Sequence, residues 1–125
     1  MTHRSALAWA GLLGAAGVAL GAAGAHAMRE TLAARGARDI WETAVAFQMY
    51  HAAALLGLAG WMRVQPSPGL APWSARLFAC GIVLFSGSLY WFVLGGPHAL
   101  VYVTPLGGLC LIVAWLLAAL AALKG

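Results

Sequence analysis

SALAWAGLLGAAGVALGAAGAHA, residues 5–27, contains no Lys, Arg, Asp or Glu. A helix needs about 20 predominantly apolar residues to cross a hydrocarbon core about 30 Å thick, so this segment is long enough to span a bilayer. A secretory leader is the rival reading, because His3 and Arg4 precede the apolar run and Ala25-His26-Ala27 has the small-x-small form of a cleavage site. The run exceeds the usual leader core of about 7 to 15 residues, so a membrane span is expected instead.

Three more stretches meet the length requirement, Ile40 to Met62, Trp73 to Leu94 and Pro105 to Leu123. The segments between them carry helix-breaking chemistry. Arg29 to Asp39 is charged, Val64 to Pro72 contains Pro66, Pro68, Gly69 and Pro72, and Gly95-Gly96-Pro97 closes the third span. Thr104-Pro105 reads as an N-cap followed by proline at the first helical position. Short connections make successive helices antiparallel. The expected fold is all-α, an integral membrane four-helix up-down-up-down bundle, in one transmembrane domain over 1–125 with helices at about 5–27, 40–62, 73–94 and 105–123.

Composition points the same way. Of 125 residues, 63% are hydrophobic and 8% charged, and the mean hydropathy is +0.88. Ten charged side chains cannot keep that much apolar surface dispersed in water, whereas lipid removes the difficulty. The pI near 9.7 is therefore no sign of nucleic-acid binding. Arg4, Arg29, Arg35, Arg38, Arg63, Arg76 and Lys124 sit at the edges of apolar runs, where they meet lipid headgroups, and form no basic stripe. The bilayer is the partner this composition implies, with a homo-oligomer or an accessory contact to another membrane protein as the form of association.

Counting Lys and Arg near the helix ends gives four on the side of the termini and second loop, against three in the first loop. The count leans toward cytoplasmic termini. Arg29 to Arg38, with Leu32 and alanines between charges, suits either a short interfacial helix or an irregular loop.

Helices in lipid associate through small residues that let backbones approach. Gly11, Gly14, Gly17, Gly21 and Gly24 recur every three or four residues in the first span, and Gly57, Gly60, Gly107 and Gly108 offer similar grooves. Gly17, Gly21, Gly24, Gly107 and Gly108 are the expected packing positions within the bundle, a dimer seam being the alternative. Trp9, Trp61 and Trp73 are expected toward one interface and Trp41 and Trp91 toward the other, with Trp115 lipid-facing or filling the core. Cys80 and Cys110 stand alone in apolar runs and read as small hydrophobes.

Polar side chains at membrane depth are costly and by default face the bundle interior. They are His26, Gln48, Tyr50, His51, Ser86, Ser88 and Tyr90, with Glu42 and Thr43 near the mouth. At about 1.5 Å per residue from Ile40, His51 lies about 16 Å deep, near the midplane. Gln48 and His51 share a face, as do Ser86 and Tyr90, which are the expected hydrogen-bond partners of the first pair. His26 lies at the first-loop end.

This geometry weighs against several chemistries. His26 and His51 differ in depth by roughly 10 to 16 Å, too far to share one haem iron. His3 and His98 lie on opposite sides, so no zinc or copper ligand set forms. A Ser-His-acid arrangement lacks its acid, because Glu30, Asp39 and Glu42 all cluster at the first loop. No catalytic residues, metal ligands or cofactor are therefore assigned. What remains is a mid-membrane network of His26, Gln48, His51, Ser86, Ser88 and Tyr90, either structural or a site for a proton or small solute.

Four segments together resemble a known family. Gly21-Ala22-Ala23-Gly24-Ala25-His26-Ala27, Trp41-Glu42-Thr43-Ala44 running to Gln48-Met49-Tyr50-His51-Ala52, Phe85-Ser86-Gly87-Ser88-Leu89-Tyr90, and Thr104-Pro105-Leu106-Gly107-Gly108 are similar, in order, to domain of unknown function 423. That family also includes the eukaryotic transmembrane protein 256. The chain departs from it at Ala23, where a bulkier aromatic is usual, and at Phe47, where Tyr is frequent, so no hydroxyl contact is carried over to position 47. The resemblance implies a small four-helix protein of a bacterial inner membrane or an organellar membrane, and no reaction. The functional expectation is a non-enzymatic accessory or scaffold-type bundle, the alternative being a transporter of a small solute or protons through a His/Gln site.

Overall fold

The computed structural model describes residues 1–124, so Gly125, the last residue of the expected domain, lies outside the described residues. The elements are α1 (His3–Ala25), α2 (Arg29–Ala34), α3 (Arg38–Val64), α4 (Ala71–Val93) and α5 (Leu100–Lys124). Four of them, α1, α3, α4 and α5, are long and apolar enough to cross a membrane.

The helix ends have local causes. α1 begins two residues before Ser5 because Thr2 and Ser5 cap it reciprocally: Ser5 N donates to Thr2 Oγ1 at 3.2 Å and Thr2 N donates to Ser5 Oγ at 2.9 Å. It stops at His26, whose N–H donates to Ala22 O. The first loop contains the short helix α2, held down by Leu32, which is 1% exposed and packs with Ala37, Trp41 and Val93. Gly36, at φ +59°, supplies the left-handed turn into α3. Pro66 holds Gln65 in an extended conformation and ends α3, and Pro72 sits in the first turn of α4 where its missing N–H costs nothing.

The expected start of the last span at Pro105 is corrected. α5 begins at Leu100, and Pro105 lies inside it. Proline is least damaging near a helix start, and here its missing N–H leaves only the Val101 carbonyl without its helical donor. Thr104 is accordingly no N-cap; its Oγ1 lies 3.3 Å from Leu100 O, one turn back.

Successive spans run antiparallel in the up-down-up-down order. α1 packs on α3, α3 on α4 and α4 most extensively on α5, so α1 and α5 form the two flanks. The main core runs through all four spans around Leu55, Phe78, Ile82, Leu111 and Ala114. At the closest crossing, a Cβ on Gly107 would stand 2.8 Å from Phe85 Cα and 2.9 Å from Leu84 C, so only glycine lets α4 and α5 approach this far. Neighbouring Gly108 has room, its nearest neighbour being Phe85 Cδ2 at 3.8 Å. On α1, Gly17 faces Met49, Gly21 faces Val45 and Gly24 faces the Trp41 ring, while Gly11 and Gly14 face open space.

The tryptophans divide. Trp9, Trp73 and Trp91 are exposed toward the surroundings, and Trp115 is exposed while its ring edge meets Phe78. Trp41 differs from the belt expectation: it is 2% exposed and turned inward, because Gly24 leaves the space its indole occupies.

Candidate functional site

Three of the four spans meet at Gln48. Its Nε2 donates to Leu13 O on α1 at 2.8 Å, and its Oε1 accepts from Tyr90 Oη on α4 at 2.7 Å. The Tyr90 ring tilts against Trp41, centroids 4.7 Å apart, and Trp41 Nε1 donates to Leu20 O on α1 at 2.9 Å. Ser86, one turn before Tyr90, donates from Oγ to Ala44 O on α3 at 2.7 Å. Each accepting carbonyl lies within a helix and also serves its own helical N–H, so these bonds use its second lone pair.

A second cluster joins α4 to α5. Ser74 Oγ donates to Ala114 O at 2.6 Å. Ser88 Oγ lies 2.6 Å from Thr104 Oγ1 and 2.9 Å from Phe85 O, while Thr104 also approaches Leu100 O at 3.3 Å. Two hydroxyl protons cannot serve all three contacts. The assignment that keeps the two shorter bonds has Thr104 donating to Ser88 and Ser88 to Phe85 O.

His51 stands apart from both clusters. Its Nδ1 is 2.6 Å from Phe47 O, and since a carbonyl only accepts, Nδ1 carries the proton. Nε2 has no hydrogen-bond partner among the described residues, although His51 is only 9% exposed. The rings of Phe47, Phe78 and Trp115 surround the imidazole at centroid distances of 5.7, 6.0 and 6.1 Å. The expected pairing of His51 with Ser86 or Tyr90 is therefore corrected: those hydroxyls go to Ala44 O and Gln48, and the imidazole folds back onto the carbonyl one turn behind it.

The other sequence-selected residues lie elsewhere. His26 caps the end of α1, exposed, with no side-chain hydrogen bond among the described residues. Tyr50 is 66% exposed and points away from the bundle. Glu42 pairs with Arg38 at the surface, Oε1 to Nε 2.9 Å. No group of three His, Cys, Asp or Glu side chains suited to a metal occurs among the described residues. Sequence reasoning missed Ser74, which stands so near the start of α4 that its depth raised no question, and Thr104, whose hydroxyl was read as a cap.

Every fully buried side-chain nitrogen or oxygen among the described residues has a partner. Such a network holds helices together and offers few free groups to a visitor, Nε2 of His51 being the exception.

Comparison with known proteins adds the following. Residues 20–108 match the family model described as "Protein of unknown function (DUF423)". The chain is 39% identical to the UPF0382 inner membrane protein YgdD of Escherichia coli K12, over 99% of this chain and 93% of that protein. It is 39% identical to a UPF0382 membrane protein of Staphylococcus epidermidis, covering 86% and 85% of the two chains. The UPF0382 membrane protein YwdK of Bacillus subtilis is 36% identical, with 86% of each chain covered. No solved structure matches.

Proposed function

The chain belongs to the DUF423 family of membrane proteins, and from that premise we propose that it is a non-catalytic, accessory or scaffold-type bundle whose buried polar side chains hold its helices in register. One observation carries this reading. Trp41, Gln48, Ser74 and Ser86 each donate to a main-chain carbonyl of a different helix, and together they fasten α1 to α3, α3 to α4 and α4 to α5. A helix displaced by one residue moves about 1.5 Å, enough to break bonds of this length. A solute site needs donors directed into a cavity, whereas these donors are directed into neighbouring backbones. The flanks α1 and α5 keep broad apolar faces, with Leu7, Leu12 and Val18 on one and Leu109, Ile112 and Leu116 on the other, available to lipid or to another membrane protein.

Transport of protons or a small solute is the second reading, favoured by the unpartnered Nε2 of His51 within its aromatic surround. Gln48 contributes little to it, because both ends of its amide are engaged. Dissipation of an imposed pH gradient by proteoliposomes separates the two. The scaffold reading expects no faster decay than in protein-free vesicles. Faster decay that disappears in His51→Ala overturns it.

A further inference from the structure

A cavity of about 540 Å³ lies at the first-loop end between α1, α2 and α3, with Trp41 of the polar network in its wall. Its walls combine two kinds of surface. Ala25, Leu32, Trp41 and Val45 line an apolar groove between α1 and α3, and Arg29, Arg38 and Glu42 stand around it. Arg29 opens α2 and Arg38 opens α3, so both guanidiniums sit where the apolar spans end, at the level of lipid headgroups. They are also available. The Arg29 guanidinium has no hydrogen-bond partner among the described residues, and that of Arg38 uses only Nε, toward Glu42, leaving its terminal nitrogens free. Arg35, between them in sequence, is committed elsewhere, donating from Nη1 to Val93 O at 2.6 Å.

We propose that this cavity binds one anionic phospholipid, its phosphodiester held between Arg29 and Arg38 and its chain lying in the groove beside Gly21 and Gly24. Charge complementarity selects the occupant. Among the lining side chains two cations stand against one carboxylate, guanidinium forks match phosphate oxygens, and the groove below offers hydrocarbon contact rather than polar groups. A cavity of this volume lies within the range of small-molecule sites. A zwitterionic headgroup presents the same phosphate but adds a cation near the guanidiniums, so it binds less well. The inference goes beyond the scaffold reading and stands whether or not that reading holds.

The test is native mass spectrometry of the full chain released from nanodiscs containing equal phosphatidylglycerol and phosphatidylcholine. Phosphatidylglycerol is expected as a retained one-to-one adduct. In Arg29→Gln/Arg38→Gln its retention falls roughly 30-fold, about fivefold for each cation removed near the membrane surface. Glu42→Gln, which removes the opposing charge and frees Arg38, raises retention. Both changes are at exposed side chains, and an unaltered thermal transition shows that the fold survives them. Equal retention of the two lipids, or an adduct undiminished in the double variant, overturns the proposal. So does displacement of the lipid by millimolar inorganic phosphate, which points to a free-anion site without a lipid chain.

Discussion

Replacing Gln48 with leucine removes two hydrogen bonds at once, Nε2 to Leu13 O and Tyr90 Oη to Oε1. Interhelical bonds in a membrane average about 0.6 kcal/mol and reach about 1.7 kcal/mol, so Gln48→Leu should destabilise the bundle by about 1 to 3 kcal/mol. The Leu13 carbonyl keeps its helical donor, but Tyr90 Oη is left without an acceptor. Tyr90→Phe alone costs about 0.6 to 1.7 kcal/mol, because it breaks one bond and bares Oε1. In the double variant the shared bond is lost only once. It should therefore be less destabilised than the sum of the singles by about 0.6 to 1.7 kcal/mol. The assay is equilibrium unfolding in mixed micelles titrated with a denaturing detergent, fitted as a double-mutant cycle. A coupling below about 0.3 kcal/mol, the scatter expected of independent sites, refutes the idea that this bond fastens α3 to α4.

Gly107→Ala drives a methyl into the backbone of Phe85 and Leu84, neither of which can yield, and should cost about 1 to 3 kcal/mol or more in the same assay; Gly108→Ala, with its neighbour at 3.8 Å, should change stability by no more than about 1 kcal/mol. Equal effects at the two positions contradict the close crossing of α4 and α5. Ser74→Ala should lower stability by about 0.6 to 1.7 kcal/mol through loss of the bond to Ala114 O, and an unchanged transition means that bond contributes nothing. Arg35 binds a carbonyl at the C-terminal end of α4, where a cation contributes about 0.3 to 1 kcal/mol, so Arg35→Gln should speed amide exchange across residues 31–37 by about two- to fivefold. Unaltered exchange there removes Arg35 as the tie between the first and third loops.

The four spans were legible because an apolar run of bilayer length has one physical outcome whatever its neighbours do. Boundaries were less so. The Thr2 cap has Ser5 where Glu or Gln usually completes the motif, so its signal in the sequence is weak, and Thr104-Pro105 has the form of a helix start although a helix also tolerates proline in its early turns. The polar residues worth attention could be chosen from depth and face alone, but their partners depend on rotamers and on which backbone comes near. Gln48 and Tyr90 meet because α3 and α4 cross there; His51, on the same face, finds its own helix first. Trp41 turns inward for a reason written on another helix, the missing side chain of Gly24. Arg29 and Arg38 carry no depth anomaly, so their shared cavity emerges only from the folded chain.

The central claim is that the buried donors are permanently committed to neighbouring helices rather than open to a passing solute. The chain has no asparagine and only two glutamines, Gln48 in the bundle and Gln65 at the end of α3, so its NMR spectrum holds two side-chain amide pairs. Solvent exchange of those protons, measured in bicelles, reads the claim directly. Gln65 should exchange at once, while Gln48, held between Leu13 O and Tyr90, should remain protected for minutes or longer. Exchange of Gln48 as fast as that of Gln65 would show water reaching the network, and the account of it as a closed set of fasteners would fail.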